Sequence, residues 1–242
     1  MSEATDVKNV LVTGSAGRIG QAVVLELLQR SHLVRGYDRH PSPNLENAFV
    51  ADLSDTDKLA EAMDGVEALV HLAAIPDDVE DVVDELFPPN ITGLYHVLET
   101  ARKANVKRLV LASSGQVNWF YQQTGPWPID EHTPVSPRSW YAATKMFLES
   151  IGYSYSVTHG MSVIVGRLGW CPRDEGQVNE ISAEEHFQDV YLSPGDAGRF
   201  FACAVEAPDD ISHAILFPTS KPIHRMRYDL APAKELIGYK PQ

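Results

Sequence analysis

The sequence predicts an α/β protein with a doubly wound parallel sheet, and three observations lead to this prediction. Segments typical of strands and of helices alternate along the chain, the first strand runs into a glycine-punctuated turn, and most strand segments are continuous apolar runs. Alternation of this kind implies a parallel sheet covered by helices on both faces. Strands buried on both faces lose the alternation of half-exposed strands, and continuous apolar runs result.

The individual elements follow from hydrophobic periodicity and from the turn formers between them. The predicted strands cover residues 8–13, 33–38, 47–51, 67–72, 107–113 and 161–168. The predicted helices cover residues 18–30, 55–63, 80–87, 90–104, 138–158, 182–190, 195–206 and 230–237. The stretch 119–128 combines aromatic residues with glycine and proline and is predicted to be a loop. Residues 175–180 are predicted to form a mobile loop that closes over a bound molecule.

Composition excludes several classes of protein. The 242 residues suffice to bury a full core, and the formal charge of −13 gives no attraction to nucleic acid or to an anionic membrane. No stretch approaches the ~20 continuous apolar residues of a membrane span, and the acidic start at 1–6 is not typical of a signal peptide. Two distant cysteines, Cys171 and Cys203, argue for a reducing compartment, so we expect a cytoplasmic protein. The nine histidines show no metal-ligand spacing, and no metal site is predicted.

The turn after the first strand has the spacing Gly14-x-x-Gly17-x-x-Gly20 and opens an amphipathic helix. Gly14 permits a tight turn, Gly17 lets the backbone approach a pyrophosphate, and Gly20 lets the helix pack closely on the sheet. The helix N-terminus adds unpaired N–H groups and a partial positive charge. The order of strand, glycine loop and helix therefore predicts a dinucleotide-binding fold of the Rossmann type.

Asp38 ends the second predicted strand, about 20 residues beyond the glycines, where a carboxylate can bind both hydroxyls of an adenosine ribose. The same negative charge repels a 2′-phosphate. NAD is therefore favoured over NADP as the cofactor, although the neighbouring Arg39 could soften that preference.

Three polar residues form a pattern suited to moving a hydride and a proton to or from a carbon–oxygen bond. Tyr141 and Lys145 are four residues apart in a predicted helix and share a face, and Ser114 closes an apolar run. The ammonium is expected to lower the pKa of the phenol, ordinarily ~10, and so make it an acid–base catalyst. Ser114 is expected to donate a hydrogen bond to the same substrate oxygen. Tyr-x-x-x-Lys alone is typical of an ordinary helix, and the glycine turn makes the pattern informative.

With these motifs in this order, the chain resembles an extended-type short-chain dehydrogenase/reductase of the NAD-dependent epimerase/dehydratase superfamily. The resemblance implies that Asp52 contacts adenine and that Asn90 orients Lys145 through water or main chain, with a helix cap as the other interpretation of Asn90. The cofactor contacts that it implies are Gly14, Gly17, Arg18, Ile19, Gly20, Asp38, Arg39, Asp52, Leu53, Leu72, Ala73, Ala74, Asn90, Tyr141 and Lys145.

The two residues after the active serine indicate which class of reaction is disfavoured. Ser114 is followed by Gly115 and Gln116, whereas dehydratases of the superfamily usually carry Asp-Glu there, so dehydration is disfavoured. Fewer than about 100 residues follow Lys145, which suits a small free substrate better than a nucleotide sugar. The expected substrate contacts are Ile75, Ser114, Gly115, Gln116, Tyr141 and Trp170.

The chain is closest in organisation to the uronate dehydrogenase-like branch, but it departs from that branch at the substrate. Those enzymes have a serine where this chain has Trp170, and their carboxylate-binding arginine falls near Asn179. Arg173 could substitute for it or be an exposed loop residue, and Arg167 could be a ligand or a structural partner. We therefore favour a neutral sugar over a uronate, with Trp170 offering a flat apolar face.

The resemblance implies an NAD-dependent oxidoreductase that moves a hydride between the nicotinamide and a small hydroxyl or carbonyl substrate, a free sugar or sugar acid. An NAD-dependent sugar epimerase and a non-catalytic NAD-binding regulator are the alternatives. We expect an NAD-binding Rossmann domain at 1–168 and a small substrate-binding region at 169–242, packed together as one compact unit. Relatives commonly dimerise through the helix after Asn90 and the helix of Tyr141, so a homodimer is expected.

Overall fold

The structure is a computed structural model that describes residues 6–43 and 45–242, so the start of the chain on which the signal-peptide argument rests lies almost wholly outside it. The described residues form a sheet of seven parallel strands in the order β3-β2-β1-β4-β5-β6-β7. The strands are β1 (Asn9–Thr13), β2 (Leu33–Asp38), β3 (Ala48–Val50), β4 (Ala68–His71), β5 (Arg108–Ser114), β6 (Ser162–Leu168) and β7 (His213–Leu216).

Helices cover both faces of this sheet. They are α1 (Arg18–Gln29), α2 (Thr56–Met63), α3 (Leu94–Lys103), α4 (Trp119–Thr124), α5 (Trp140–His159), α6 (Glu175–Ala183), α7 (Glu185–Gln188), α8 (Pro194–Glu206) and α9 (Ala231–Ile237). Two π-helical turns, Val82–Leu86 and Pro88–Gly93, lead into α3, and a 3-10 turn, Gly115–Asn118, precedes α4. The α/β class predicted from the sequence is confirmed.

The two faces of the central strands contribute to two separate cores, as the continuous apolar runs predicted. Val12 of β1 packs with Leu27 of α1 and Phe200 of α8 on one side. The adjacent Leu11 packs with Leu98 of α3 and with α2 and α5 on the other. Successive side chains of a strand point to opposite faces, so one apolar run serves both cores.

The strand order positions the site. β1 pairs with β2 on one side and with β4 on the other. The strands β1 to β3 therefore extend the sheet towards one side, and β4 to β7 extend it towards the other, so the strand order reverses beside β1. Loops leaving the carboxyl ends of strands on either side of such a reversal diverge and leave a crevice. The loops after β1, β2, β4, β5 and β6 therefore open onto one edge of the sheet.

Several elements differ from the sequence-based expectation. Residues 175–180, predicted as a mobile loop, lie in α6, because Asp174 caps that helix by accepting a hydrogen bond from the Gln177 backbone N–H at 2.9 Å. Part of the predicted loop 119–128 is the short helix α4, which ends at Gly125 with φ +73°. The four-residue strand β7 was not predicted from the sequence.

No helix in the described part of the chain is long and apolar enough to cross a membrane.

Candidate active site

A cavity of about 820 Å³ runs along the carboxyl edge of the sheet and holds nearly all the residues predicted for the site. Its nucleotide end is formed by the turn after β1, the end of β2 and the loop after β3. Its other end is formed by β5, α5 and the segments after β6. The predicted site residues that line it are Gly14, Gly17, Arg18, Ile19, Gly20, Asp38, Arg39, Asp52, Leu53, Leu72, Ala73, Ala74, Ile75, Ser114, Gly115, Gln116, Tyr141, Lys145 and Trp170.

The glycine turn has the geometry of a cradle for a phosphate. Gly14 has φ +76°, and a Cβ there would lie 2.7 Å from the backbone nitrogen of Ala73, so both conformation and space demand glycine. A Cβ on Gly20 would collide with the carbonyl of Gly14, so close packing of α1 on the turn requires its absence. No side chain caps the N-terminus of α1. Its backbone N–H groups and the helix dipole are therefore suited to an anion.

Asp38 is held at the rim of this end by two backbone N–H groups. Its Oδ2 accepts a hydrogen bond from Ala16 at 3.1 Å and its Oδ1 accepts one from His40 at 3.0 Å. Further along, Asp52 accepts hydrogen bonds from the backbone and hydroxyl of Ser54, which lower the pKa of this carboxyl below its ordinary value. The nucleotide end therefore presents two oriented acids beside the guanidinium of Arg39.

Ser114, Tyr141 and Lys145 converge at the other end of the cavity, and all three are buried. Ser114 is the last residue of β5, whereas the hydroxyl of the adjacent Ser113 points away and donates to Glu149 at 2.5 Å. Tyr141 and Lys145 lie on the first two turns of α5, as their spacing predicted. The Nζ of Lys145 is 5.7 Å from the centroid of the Tyr141 ring.

The pKa of Tyr141 lies above its ordinary value and Lys145 is not among the groups that lower it, so this part of the prediction is wrong for the protein alone. Burial raises the pKa of Tyr141 to about 12, and the smaller lowering effects of Ser114 and Arg173 do not offset it. Burial also lowers the pKa of Lys145 to about 8. The ammonium of Lys145 is directed at the main chain, since its Nζ donates to the carbonyl of Ala112 at 2.9 Å.

The start of α5 is fixed by two caps that belong to different segments. The hydroxyl of Ser139 accepts a hydrogen bond from the backbone N–H of Ala142 at 3.2 Å. Oδ1 of Asp78, in the loop after β4, accepts one from the backbone N–H of Tyr141 at 3.0 Å. This second cap ties the helix that carries the phenol to the loop beside it.

Asn90 does not line the cavity, unlike the other predicted contacts. Its Oδ1 accepts from the Ile75 backbone N–H at 2.8 Å, and its Nδ2 donates to the Ile75 carbonyl and to Oγ1 of Thr144, both at 3.1 Å. The side chain therefore joins the loop after β4 to the residue before Lys145 and positions both.

The wall above Tyr141 comes from distant parts of the sequence and includes residues that sequence reasoning missed. The ring of Trp170 meets Phe187 edge to face at 4.7 Å, and Trp119 lies 6.4 Å from the same ring. Nε1 of Trp170 donates to Gln177 on α6 at 3.4 Å. Further unpredicted lining residues are Asp77, Arg138, Cys171 and Tyr228. The signals in the sequence that pointed to this wall were the aromatic stretch 119–128, Trp170 and the segment 175–180.

Arg167, outside the cavity lining, and Tyr228, within it, account for two features of the sequence. Arg167 on β6 forms a buried bidentate pair with Glu149 at 2.9 and 2.8 Å, so it is a structural partner and not a ligand. Tyr228 stacks on Phe217 at 4.9 Å, and a Cβ at Gly115 would collide with its hydroxyl. The glycine after the active serine is therefore required by this tyrosine.

The seven-stranded parallel sheet with its site at the carboxyl edge places the chain in the class of Rossmann-type α/β proteins. The NAD dependent epimerase/dehydratase family matches residues 10–170, and the chain belongs to that family. No group of three His, Cys, Asp or Glu side chains within 6–43 and 45–242 is placed to hold a metal ion.

Individual relatives align over most of their length. An L-arabinose 1-dehydrogenase (NAD(P)(+)) of Haloferax volcanii is 32% identical over 96% of this chain and 96% of the relative. A uronate dehydrogenase of Pseudomonas syringae pv. tomato is 30% identical over 89% of this chain and 76% of the relative. The solved glucuronic acid dehydrogenase of Chromohalobacter salexigens superposes with a TM-score of 0.82 at 26% identity, covering 98% of this chain and 85% of that one.

Proposed function

We propose that this protein is an NAD-dependent oxidoreductase that moves a hydride between the nicotinamide and the hydroxyl-bearing carbon of a small free sugar or sugar acid. The observation that carries the proposal is one continuous cavity with an anion cradle at one end and Ser114, Tyr141 and Lys145 at the other. The arabinose and uronate dehydrogenases named above support the class of reaction.

The nucleotide end fits a dinucleotide. A Cβ on Gly17 would lie 3.2 Å from the carbonyl of Gly14, so the bare backbone leaves room for a pyrophosphate against the start of α1. Asp38 would hold the adenosine ribose and Asp52 the adenine, and Lys145 the nicotinamide ribose. NAD bound there would supply the hydride acceptor or donor. The charge of Asp38 favours NAD over a 2′-phosphorylated cofactor, and Arg39 beside it moderates that preference.

At the reactive end, the protein moves a proton. The phenol of Tyr141 takes the proton of the substrate hydroxyl during oxidation and returns it during reduction. The hydroxyl of Ser114, which lines the same end of the cavity, donates a hydrogen bond to the substrate oxygen. The ammonium of Lys145 stabilises the phenolate as it forms. Acid–base assistance of this kind supplies roughly 10²–10⁴ in rate.

The test is NADH formation from NAD and a panel of aldoses and uronates. Tyr141→Phe should lower turnover by roughly 10²–10⁴ while NAD still binds, because the phenol hydroxyl moves the proton and the ring is retained. Calorimetric titration with NAD is the binding control. Turnover near that of the wild type in Tyr141→Phe would contradict the assignment, and tight NAD without net NADH release would favour an epimerase.

We propose that residues 1–168 hold the cofactor and that 169–242 form the substrate side. Trp170, Arg173, Gln177 and Phe187 support this division, since all four line the cavity above Tyr141. A variant in this group should change KM for the sugar more than KM for NAD.

We also propose a cytoplasmic homodimer. The two cysteines are free, which suits a reducing compartment. On α3 and α5, which are joined by the hydrogen bond from Tyr155 to Glu99 at 2.5 Å, the apolar side chains of Tyr95 and Phe147 are exposed, whereas Leu98 is buried in the core. Two-fold packing of these helices would cover the exposed pair. Sedimentation of a monomer at micromolar concentration would contradict the dimer.

A further inference from the structure

The loops after β4 and β6 are clasped together at the mouth of the cavity by an ion pair. Nη2 of Arg173 lies 2.5 Å from Oδ2 of Asp77, and Nη1 donates to the carbonyl of Pro76 at 3.3 Å. The two charged residues are 96 positions apart in the sequence, and both line the cavity. Their side chains are 39% and 48% exposed, so a bound molecule can reach them.

This ion pair stands beside the reacting phenol. The charges of Asp77 and Arg173 act on the pKa of Tyr141 in opposite directions, the first raising it and the second lowering it. The next residue, Asp78, accepts the backbone N–H of Tyr141. A sugar placed on Tyr141 therefore meets the ion pair.

The rest of the wall on this side is mostly uncharged and aromatic. Trp170 and Phe187 present rings and Gln116 presents an amide, while Glu180 of α6 adds a second carboxylate. Three other arginines line the cavity: Arg18 and Arg39 belong to the segments of its nucleotide end, and the guanidinium of Arg138 lies 4.5 Å over the ring of Trp119. Ring faces and amides suit the C–H and O–H groups of an uncharged sugar.

We propose that Asp77 is a specificity-determining residue that keeps the site selective for uncharged sugars by occupying Arg173. This inference rests on the proposed function. A substrate carboxylate would have to displace Asp77 from the guanidinium and would then lie beside the displaced negative charge. A sugar hydroxyl can donate to Asp77 or accept from Arg173 without breaking the pair.

The experiment compares D-galactose with D-galacturonate, which differ only in the charged group at C6. The ratio of kcat/KM for the uronate to that for the aldose is measured from NADH formation. In the wild type we expect this ratio to be about one fifth or less, on the scale of one exposed ion pair. Asp77→Asn should raise it roughly fivefold, mainly through a lower KM for the uronate.

Two further variants show which arginine is responsible. The double variant Asp77→Asn, Arg173→Gln should return the ratio to the wild-type value, because the released guanidinium is gone. Arg138→Gln should leave the gain of Asp77→Asn intact. Asp210→Asn, at an exposed position outside the cavity lining, is the matched control for loss of one negative charge. A ratio unchanged by Asp77→Asn, or equal to that of Asp210→Asn, would overturn the proposal.

A binding measurement separates this inference from the proposed function. Both sugars are titrated calorimetrically into NAD-loaded Tyr141→Phe protein, with and without Asp77→Asn. Selective binding of galactose that Asp77→Asn relaxes would support the role of Asp77 even where the wild type shows no turnover, and only the proposed reaction would then fail. Turnover accompanied by unselective binding would overturn the role of Asp77 alone.

Discussion

Lys145→Met should make the cofactor-free protein more stable at neutral pH while it abolishes turnover. Burial lowers the pKa of Lys145 from 10.5 to about 8, so the charged form is disfavoured in the folded state by about 3 kcal/mol. Methionine removes that cost. It also leaves the carbonyl of Ala112 without its donor, which destabilises the variant by about 1 kcal/mol. The net gain in the free energy of unfolding is therefore about 2 kcal/mol, or roughly 4–8 °C in Tm for a chain of this size.

The pKa of Lys145 is lower in the folded state than in the unfolded state, and this difference determines how the stability gain of Lys145→Met changes with pH. Below pH 8 the lysine is charged in both the folded and the unfolded state, and the full cost is present. Between pH 8 and pH 10.5 the unfolded state holds a proton that the folded state has lost, so the stability of the wild type rises with pH. The difference between variant and wild type should therefore shrink across this window and reverse in sign above it, where only the lost hydrogen bond to Ala112, about 1 kcal/mol, remains.

The measurement is urea unfolding followed by circular dichroism, without cofactor, at about pH 7 and about pH 10, where the window predicts a large and a small difference. Lys107→Met, at an exposed position, is the control and should change stability by less than about 0.5 kcal/mol. A Lys145→Met protein less stable than the wild type at neutral pH, or a difference that does not change with pH, would refute the reasoning.

Three further predictions follow from contacts around the cavity. Gly115→Ala should lower activity and stability because its methyl group meets the hydroxyl of Tyr228, and adding Tyr228→Phe should restore part of both, as thermal unfolding and NADH formation would show. Arg167→Ala should destabilise the protein by about 3–5 kcal/mol in urea unfolding, because it leaves the carboxylate of Glu149 buried without its partner; an effect below about 1 kcal/mol would contradict this. Asp38→Asn should raise kcat/KM with NADP relative to NAD by roughly tenfold, and an unchanged ratio would show that the carboxylate does not set cofactor choice.

The nucleotide end was predictable from the sequence because its rules are local. A glycine that must adopt positive φ, as Gly14 does, and a carboxylate at the end of the next strand, as Asp38 is, are read directly from spacing. Tyr141 and Lys145 followed equally from helical periodicity. The fold then brings these segments to one edge because parallel strands all end there.

Trp170 was predicted as part of the wall over Tyr141, but the contacts that build this wall could not be predicted, because they join distant segments of the chain. Arg173 meets a loop 96 residues earlier, and Tyr228 reaches Gly115 through the bridge between its own segment and Ile129. The pKa directions were missed for a related reason. The spacing of Tyr141 and Lys145 shows that they share a face, but only the packed structure shows how deeply both are buried.

The burial of Lys145 also indicates at which stage of the reaction its charge is stabilising. Around it, His71 is held neutral by a pKa lowered to about 3, chiefly through burial, and Arg167 is compensated by Glu149. The lowered pKa of Lys145 has burial as its only cause, with no contribution from a carboxylate. Its charge is therefore poorly compensated before reaction and gains a partner as the phenolate of Tyr141 forms. An interaction that strengthens only as charge develops accelerates the chemical step rather than binding, since it lowers the transition state more than the ground state. We therefore expect Lys145 to act chiefly on kcat, and its cost to folding is the counterpart of that role.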